Sequence, residues 1–223
     1  YDEHLLEISI EQRRLLGEFE PALQNDEFVM YLQPQVKRDG AAKGAEALVR
    51  WVHPSRGILT PYAFIDILEN AGLIYKLDLY IWEKAAQKLA EWKEKGYGSY
   101  HISVNISTKD FYIINIYETF TGLINKYGIA ESNLHLEITE TTLMTDFEKN
   151  MNIIHKLQDV GFRVEIDDFG SGYSSLNMLK DISADVLKID MGFLRKSENE
   201  VKGQDILESI ITLAGKIGMD VIT

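Results

Sequence analysis

The sequence contains no cysteine, which excludes disulfides and thiolate-ligated metals from the start. It has no apolar run approaching the ~20 residues that a bilayer-spanning helix needs. Its N-terminus lacks the basic, apolar and small-residue regions of a signal peptide. A cytoplasmic domain fits these absences, and so does a domain tethered to a membrane by another part of a longer parent. Basic residues are scarce: 23 Lys and Arg against 35 Asp and Glu leave a formal net charge of −12. A surface of that sign repels duplex nucleic acid, whose binders neutralise phosphates with clustered cations. A soluble acidic surface accounts for most of the charge by itself. A small phosphorylated ligand remains compatible with it if divalent cations bridge its phosphates to carboxylates. The chain also lacks a Walker lysine and a dinucleotide fingerprint, and its five histidines show no HxxxH-like pairing.

What is present is a chain of 223 residues, 45% hydrophobic, enough for one large core. Asp2 to Leu23 reads as a charged amphipathic helix with Leu5, Ile8, Leu15, Leu16 and Phe19 on its apolar side. Phe28 to Pro34 and Ala45 to Trp51 read as two strands, joined tightly through Lys37-Arg38-Asp39-Gly40 and antiparallel. Thr60-Pro61 then opens a helix that stops near Gly72, followed by a long helix from Tyr75 to Lys95. Strands at Tyr100–Ile106, Leu134–Thr139, Phe162–Ile166 and Val186–Ile189 alternate with helices from Ser107 to about Gly128, Phe147–Val160, Ser174–Lys180 and Gln204–Ile217. Met219 to Ile222 begins one more strand. Ser107-Thr108-Lys109-Asp110 has the form of a capping-box variant.

Strands that alternate with helices imply a parallel sheet with right-handed crossovers. An open doubly wound sheet gathers its ligand groups at one switch point. Here acidic or amide groups end almost every strand: Glu46, Asn105, Glu137, Asp167 and Asp190. A ring of that kind belongs to the mouth of a (β/α)₈ barrel. Strand residues alternate faces, so an acid within a mostly apolar strand points into a core or a mouth. A buried carboxylate without a compensating partner is too costly to keep. For one such acid alone, structural pairing is the better reading; for the set at successive strand ends, a divalent metal is. Carboxylates with an Asn carbonyl are hard oxygen donors suited to Mg²⁺ or Mn²⁺. Adjacent Asp167 and Asp168 could serve two ions, an arrangement suited to in-line displacement at phosphorus.

Lys188 interrupts the apolar strand Val186-Leu187-Lys188-Ile189-Asp190. Its stem could pack while the amine snorkels outward, or the ammonium could sit at the mouth beside a phosphate or an attacking water. The glycine- and serine-rich stretch from Phe169 to Leu176 reads as a mobile loop beside the metals or as an ordinary helix entry. Arg50 shares a face with Glu46 and Leu48 and could reach a phosphate; a rim salt bridge is the plain alternative. Trp51 and His53-Pro54 read as packing and turn residues.

Taken together, Glu46-Ala47-Leu48-Val49-Arg50-Trp51 with His53-Pro54, Ser103-Val104-Asn105, Glu137-Ile138-Thr139-Glu140, Asp167-Asp168-Phe169-Gly170 and Leu187-Lys188-Ile189-Asp190 resemble the motifs of EAL domains. These are phosphodiesterases specific for cyclic-di-GMP, and the resemblance runs from about Phe28 to the last residue. It implies a modified TIM barrel whose first strand is antiparallel. It implies Glu46, Asn105, Glu137 and Asp167 around a first Mg²⁺ or Mn²⁺, Asp168 at a second, and Lys188 orienting the attacking water. By the same resemblance Glu140 anchors the loop after Asp168 and couples metal binding to homodimer contacts, while Gln33, Leu48 and Arg50 line the substrate pocket. The implied reaction opens cyclic-di-GMP to linear pGpG, with Ca²⁺ inhibitory. Ser171 stands where Thr is more usual. Val221-Ile222-Thr223 aligns with the strand that leads into a Glu-Gly-Val-Glu segment in the family, so the barrel is expected to lack its last strand and helix here. Residues 1–25 are similar to the connector between a GGDEF domain and an EAL domain, with 26–223 the EAL domain itself. The alternative is a non-catalytic receptor of the same family that binds the nucleotide and signals by shape; an enolase-like Mg²⁺ barrel or a glycosidase leaves the linked motifs unexplained.

Overall fold

The computed structural model describes residues 2–36, 40, 42–170, 179, 182–190 and 200–222. Within them one eight-stranded sheet carries the fold. β1 (Phe28–Val36) and β3 (Gly57–Leu59) both run antiparallel to β2 (Ala42–His53). β4 (His101–Ile106), β5 (Leu134–Thr139), β6 (Arg163–Phe169), β7 (Val186–Ile189) and β8 (Asp220–Ile222) then add in parallel, giving the order β1-β2-β4-β5-β6-β7-β8.

The sheet is curled. A flat sheet would hold β2 and β7, four steps apart, about 19 Å from each other. The Lys188 amine of β7 instead lies 2.9 Å from the Glu46 carboxylate of β2. This is an open (β/α) barrel with an antiparallel first strand, as expected; β1 and β8, the ends of the sheet, are not paired with each other among the described residues.

Each strand divides its side chains between two environments. Ile102, Val104, Leu134, Leu136, Ile138, Val164, Ile166 and Leu187 are buried on the outer face, against the helices. Ser103, His135, Glu137 and Glu165 alternate with them and are buried too, on the concave side. The helical layer comprises α1 (Asp2–Gln24), α2 (Ile65–Asn70), α3 (Ile74–Glu94), α4 (Asp110–Ile113), α5 (Ile116–Tyr127), α6 (Glu140–Thr145), α7 (Phe147–Asp159) and α8 (Glu200–Lys216). No described helix is long and apolar enough to cross a membrane.

Two aromatic groups fasten the helices to the sheet. Phe19 of α1 meets Phe28 edge-on at 5.7 Å, and Phe28 and Phe64 both pack on Trp51, whose indole N–H donates to Glu27 at 2.9 Å. Phe120 of α5 lies 4.5 Å from the Trp82 ring of α3 and 6.0 Å from Phe162. Leu15 and Phe19 of α1 are buried and Leu16 is partly so, as the apolar pattern requires; the side chains of Leu5 and Ile8 lie outside the described set. His53 is buried and bonds Glu18 at 2.9 Å, consistent with a packing role.

Several local expectations change. The helix expected after Thr60-Pro61 is a 3₁₀ turn (Pro61–Ala63) and a separate α2, broken at Phe64, whose φ of −140° is not helical. Phe64 is 1% exposed in the Trp51 cluster, so packing overrides local propensity there. The helix expected from Ser107 to Gly128 splits at Ile114, and Asn115 recaps α5 by accepting from the Glu118 amide at 3.2 Å. Ser107 and Asp110 do exchange the bonds of a capping box, at 2.8 and 3.4 Å. The helix expected over 174–180 lies outside the described residues apart from Leu179, as do Lys37, Arg38 and Asp39 of the hairpin turn.

Phe120→Ala tests the helix-to-sheet packing. Phe120 is fully enclosed between Trp82 and Phe162, so its truncation should cost about 3–5 kcal/mol. Urea unfolding followed by far-UV circular dichroism reads this as a lower midpoint at unchanged slope.

Candidate active site

Glu46 lies in the first half of β2 rather than ending its strand as expected. It meets residues near the C-terminal ends of β4, β5, β6 and β7 at one mouth. Lys188 on β7 stands at its centre, with Nζ 2.9 Å from Glu46 Oε2 on β2 and 3.3 Å from Asp167 Oδ1 on β6, and in contact with Glu137 Oε1 on β5. The snorkelling alternative is excluded, since only 13% of this side chain is exposed. Glu137 is 1% exposed, and its Oε2 has no hydrogen-bond donor among the described residues. Asn105 on β4 pairs in register with Glu137 and opens toward solvent, while its backbone carbonyl accepts from the Trp82 indole at 2.9 Å.

Three carboxylates around one ammonium leave an excess of negative charge in a low-dielectric pocket. Burial pushes the Asp167 carboxyl up to about 7; a backbone hydrogen bond at Asp168 opposes the rise, and the charges of Asp168, Glu46 and Glu165 add to it. Burial also raises Asp168, helped by Asp190 and Glu46. Lys188 is lowered by burial, against the opposing pull of Glu46. The donor set fits a divalent oxygen-seeking ion: an unsatisfied Glu137 oxygen, further carboxylates around the same ammonium, an asparagine as the ladder partner of Glu137, and surplus negative charge.

Asp167 and Asp168 are neighbours in sequence but not in direction. Between Ile166 and Phe169, β6 advances three residues while β7 advances two, from Leu187 to Ile189. That one-residue excess is a bulge, and Asp168 carries its strain with φ of 55°. Asp167 is thereby left half-buried and Asp168 exposed.

On the hairpin, Gln33 lies directly across the ladder from Glu46, and Tyr31 across from Leu48. Arg50 continues the row of Glu46 and Leu48, but its guanidinium stacks 5.7 Å from the Tyr31 ring centroid and donates to the Val49 carbonyl at 2.8 Å. Glu140 is half-buried at the start of α6, immediately after β5. The loop positions 171–176 that follow Asp168 lie outside the described residues. The sequence reading did not single out a polar layer one step deeper on the same strands: His101, Ser103, His135 and Glu165. Its signal was period-two alternation, since these positions precede Asn105, Glu137 and Asp167 by two or four residues.

A model of the EAL domain family matches residues 17–223. Over 213 residues, 95% of this chain, the sequence is 32% identical to MucR of Pseudomonas aeruginosa, a bifunctional diguanylate cyclase/cyclic di-GMP phosphodiesterase, covering 31% of that protein. PdeR of Escherichia coli, a cyclic di-GMP phosphodiesterase, is 31% identical over 201 residues, 90% of this chain and 30% of its own length. The chain thus spans about a third of these relatives. The solved structure of the MucR phosphodiesterase in complex with c-di-GMP superposes with a TM-score of 0.87 at 32% identity, covering 93% of this chain and 85% of that one.

Lys188→Met should expose the charge imbalance. Without added metal at pH 8 the variant should lose on the order of 3 kcal/mol, the scale for stripping one partner from a buried ion pair. The loss should shrink at pH 5.5, where Asp167, with its value near 7, is already protonated. Thermal melting at the two pH values, with wild-type protein as reference, measures the difference.

Proposed function

The chain belongs to the EAL domain family, and on that footing we propose that it hydrolyses cyclic-di-GMP to linear pGpG with Mg²⁺ or Mn²⁺. The observation that carries the proposal is the convergence of Glu46, Glu137 and Asp167 on Lys188 at the barrel mouth. Relatives that are cyclic di-GMP phosphodiesterases support the substrate.

In this reading Glu46, Asn105, Glu137 and Asp167 hold a first ion and Asp168 a second. When bound, such ions stabilise charge on the attacking and leaving oxygens of a displacement at phosphorus. Hydrolysis forms one bond from water oxygen to phosphorus and breaks one bond from phosphorus to a ribose oxygen, which leaves with a proton. Lys188 orients the incoming water and offsets phosphate charge. Gln33, Leu48 and Arg50 shape the pocket beside Glu46, and Arg50 must turn from Tyr31 to meet a phosphate. Glu140 holds the loop after Asp168, and through it the site communicates with a second copy in a homodimer. Ca²⁺ inhibits because its longer, looser coordination misplaces the reactants. α1 serves as the connector from an upstream signalling domain, and residues 26–223 form the phosphodiesterase domain. The acidic surface keeps duplex nucleic acid away.

Incubation with cyclic-di-GMP and Mg²⁺ or Mn²⁺, in a chain extended through the C-terminal part of the family's barrel, should yield pGpG by chromatography. Glu46→Ala should reduce turnover at least 10³-fold, on the scale of losing a principal electrostatic stabiliser, while nucleotide binding survives. A folded, extended protein that binds the nucleotide and makes no pGpG with either ion would be a receptor instead.

Metal uptake should also depend on pH. A proton on Asp167, held to about 7, competes with the cation. Mg²⁺ affinity should therefore climb from pH 5.5 to about 7.5 and then level off, with protons released on binding at the acid end. Calorimetry in buffers of different ionisation enthalpy counts those protons.

A further inference from the structure

Below the mouth, on the concave face of the same strands, a second polar layer uses nitrogen as well as oxygen. His135 of β5 and Glu165 of β6 are 3% and 0% exposed, and His101 of β4 is half-buried beside them. Each offers one ligand atom, and the three atoms lie within 4.8 Å of one another. We propose that His101, His135 and Glu165 form a second metal site at the barrel floor, selective for a borderline transition ion such as Zn²⁺.

The hydrogen bonds argue for it. Both nitrogens of His135 face acceptors: Nδ1 lies 2.6 Å from Glu165 Oε1, and Nε2 lies 3.2 Å from the Ser132 carbonyl. A neutral imidazole has one N–H and satisfies only one of them. If Nε2 donates to the carbonyl, the Nδ1 lone pair meets the carboxylate head-on, a contact relieved when the two groups part to ligate one cation. A ring nitrogen that donates to a backbone carbonyl while its partner ligates is the usual support of a metal-bound histidine. His101 has an equivalent support, with Nε2 2.8 Å from Gln35 Oε1.

Glu165 supplies the independent sign. Its Oε1 is shared by His135 and the Ser103 hydroxyl, at 2.6 and 3.0 Å, while Oε2 is buried with no hydrogen-bond partner among the described residues. A fully enclosed carboxylate oxygen left bare is costly unless a cation completes it. The His101 ring lies where only a glycine admits it. A Cβ on Gly44, the ladder partner of His101, would fall 2.0 Å from His101 Nε2. The two imidazoles now stack in parallel, 3.9 Å apart at 4°, so ligation requires one ring to turn.

Two nitrogens and a carboxylate with one open position is a zinc-type donor set. The mouth, with oxygen donors alone, suits Mg²⁺ or Mn²⁺. An ion at the floor would tie together β4, β5 and β6, the strands that present Asn105, Glu137 and Asp167.

Cobalt(II) titration separates the two layers, because nitrogen-ligated Co²⁺ of low coordination number absorbs far more strongly in the visible than six-coordinate Co²⁺ among oxygens. Wild-type protein in excess Mg²⁺, and the mouth variant Glu46→Gln/Asp167→Asn, should each take up one strongly absorbing Co²⁺ that Zn²⁺ displaces. Zn²⁺ should also raise the melting temperature of both. His101→Gln and Glu165→Gln should weaken uptake by at least the ~10–100-fold that losing a mere supporting group costs a metal site. Gln35→Leu, which removes no ligand, should weaken it less. Folded protein that shows no strongly absorbing Co²⁺ would overturn the proposal and leave His135 as a hydrogen-bond partner of Glu165 alone. Uptake unchanged in both His101→Gln and Glu165→Gln would overturn it equally, and neither result bears on phosphodiester hydrolysis at the mouth.

Discussion

Gathering acids of like charge inside a barrel is unfavourable unless something holds them there, and here the ammonium of Lys188 does so. It touches carboxylates from β2, β5 and β6, and so ties β7 across the curl of the sheet to β2 and β5, with which it shares no ladder. Its position depends in turn on Leu187 and Ile189, whose burial on the outer face fixes the register of β7 and turns the residue between them inward. A structural device and the centre of the site are thus one residue. Burial raises the Asp167 carboxyl and lowers the Lys188 amine, each toward its uncharged form.

The surrounding fold exists to make that convergence rigid. The outer faces of β4, β5 and β6 are almost wholly aliphatic and enclosed, which leaves the inner faces free to be polar. Trp82 joins the layers directly: packed on Phe120 on one side, it donates to the Asn105 carbonyl on the other. α1 adds a second brace, through Phe19 in the Trp51 cluster and Glu18 on His53, so the hairpin carrying Glu46 is held from outside the barrel.

The alternation of strands with helices was legible because each long element has a clear hydrophobic period and a glycine or cap at its end. Leu134–Thr139 and Val186–Ile189 fall where the pattern places them. What escaped has physical reasons. β3 has three residues and no period to detect. α6 follows β5 without a turn, because Thr139 ends the strand and caps the helix by accepting from the Thr142 amide. The strand-end acids stood out against apolar neighbours, and their convergence on Lys188 follows from the curl. The floor layer did not stand out, since a histidine or serine inside a strand signals nothing until its neighbours across three ladders are known. The roles of the site residues in turnover rest on chemistry that the experiments above address.

The bulge at the end of β6 has a consequence for how this chain tolerates change in length. Removing one residue between Ile166 and Phe169 would restore an even count against β7, and a regular ladder would be the easier one to form. Phe169, now 3% exposed, would keep its place opposite Ile189 on the outer face, so the packing beyond the cut would survive, yet a single aspartate would stand where two now diverge. At this point the spacing between residues, as much as their identity, is what the sequence has to preserve.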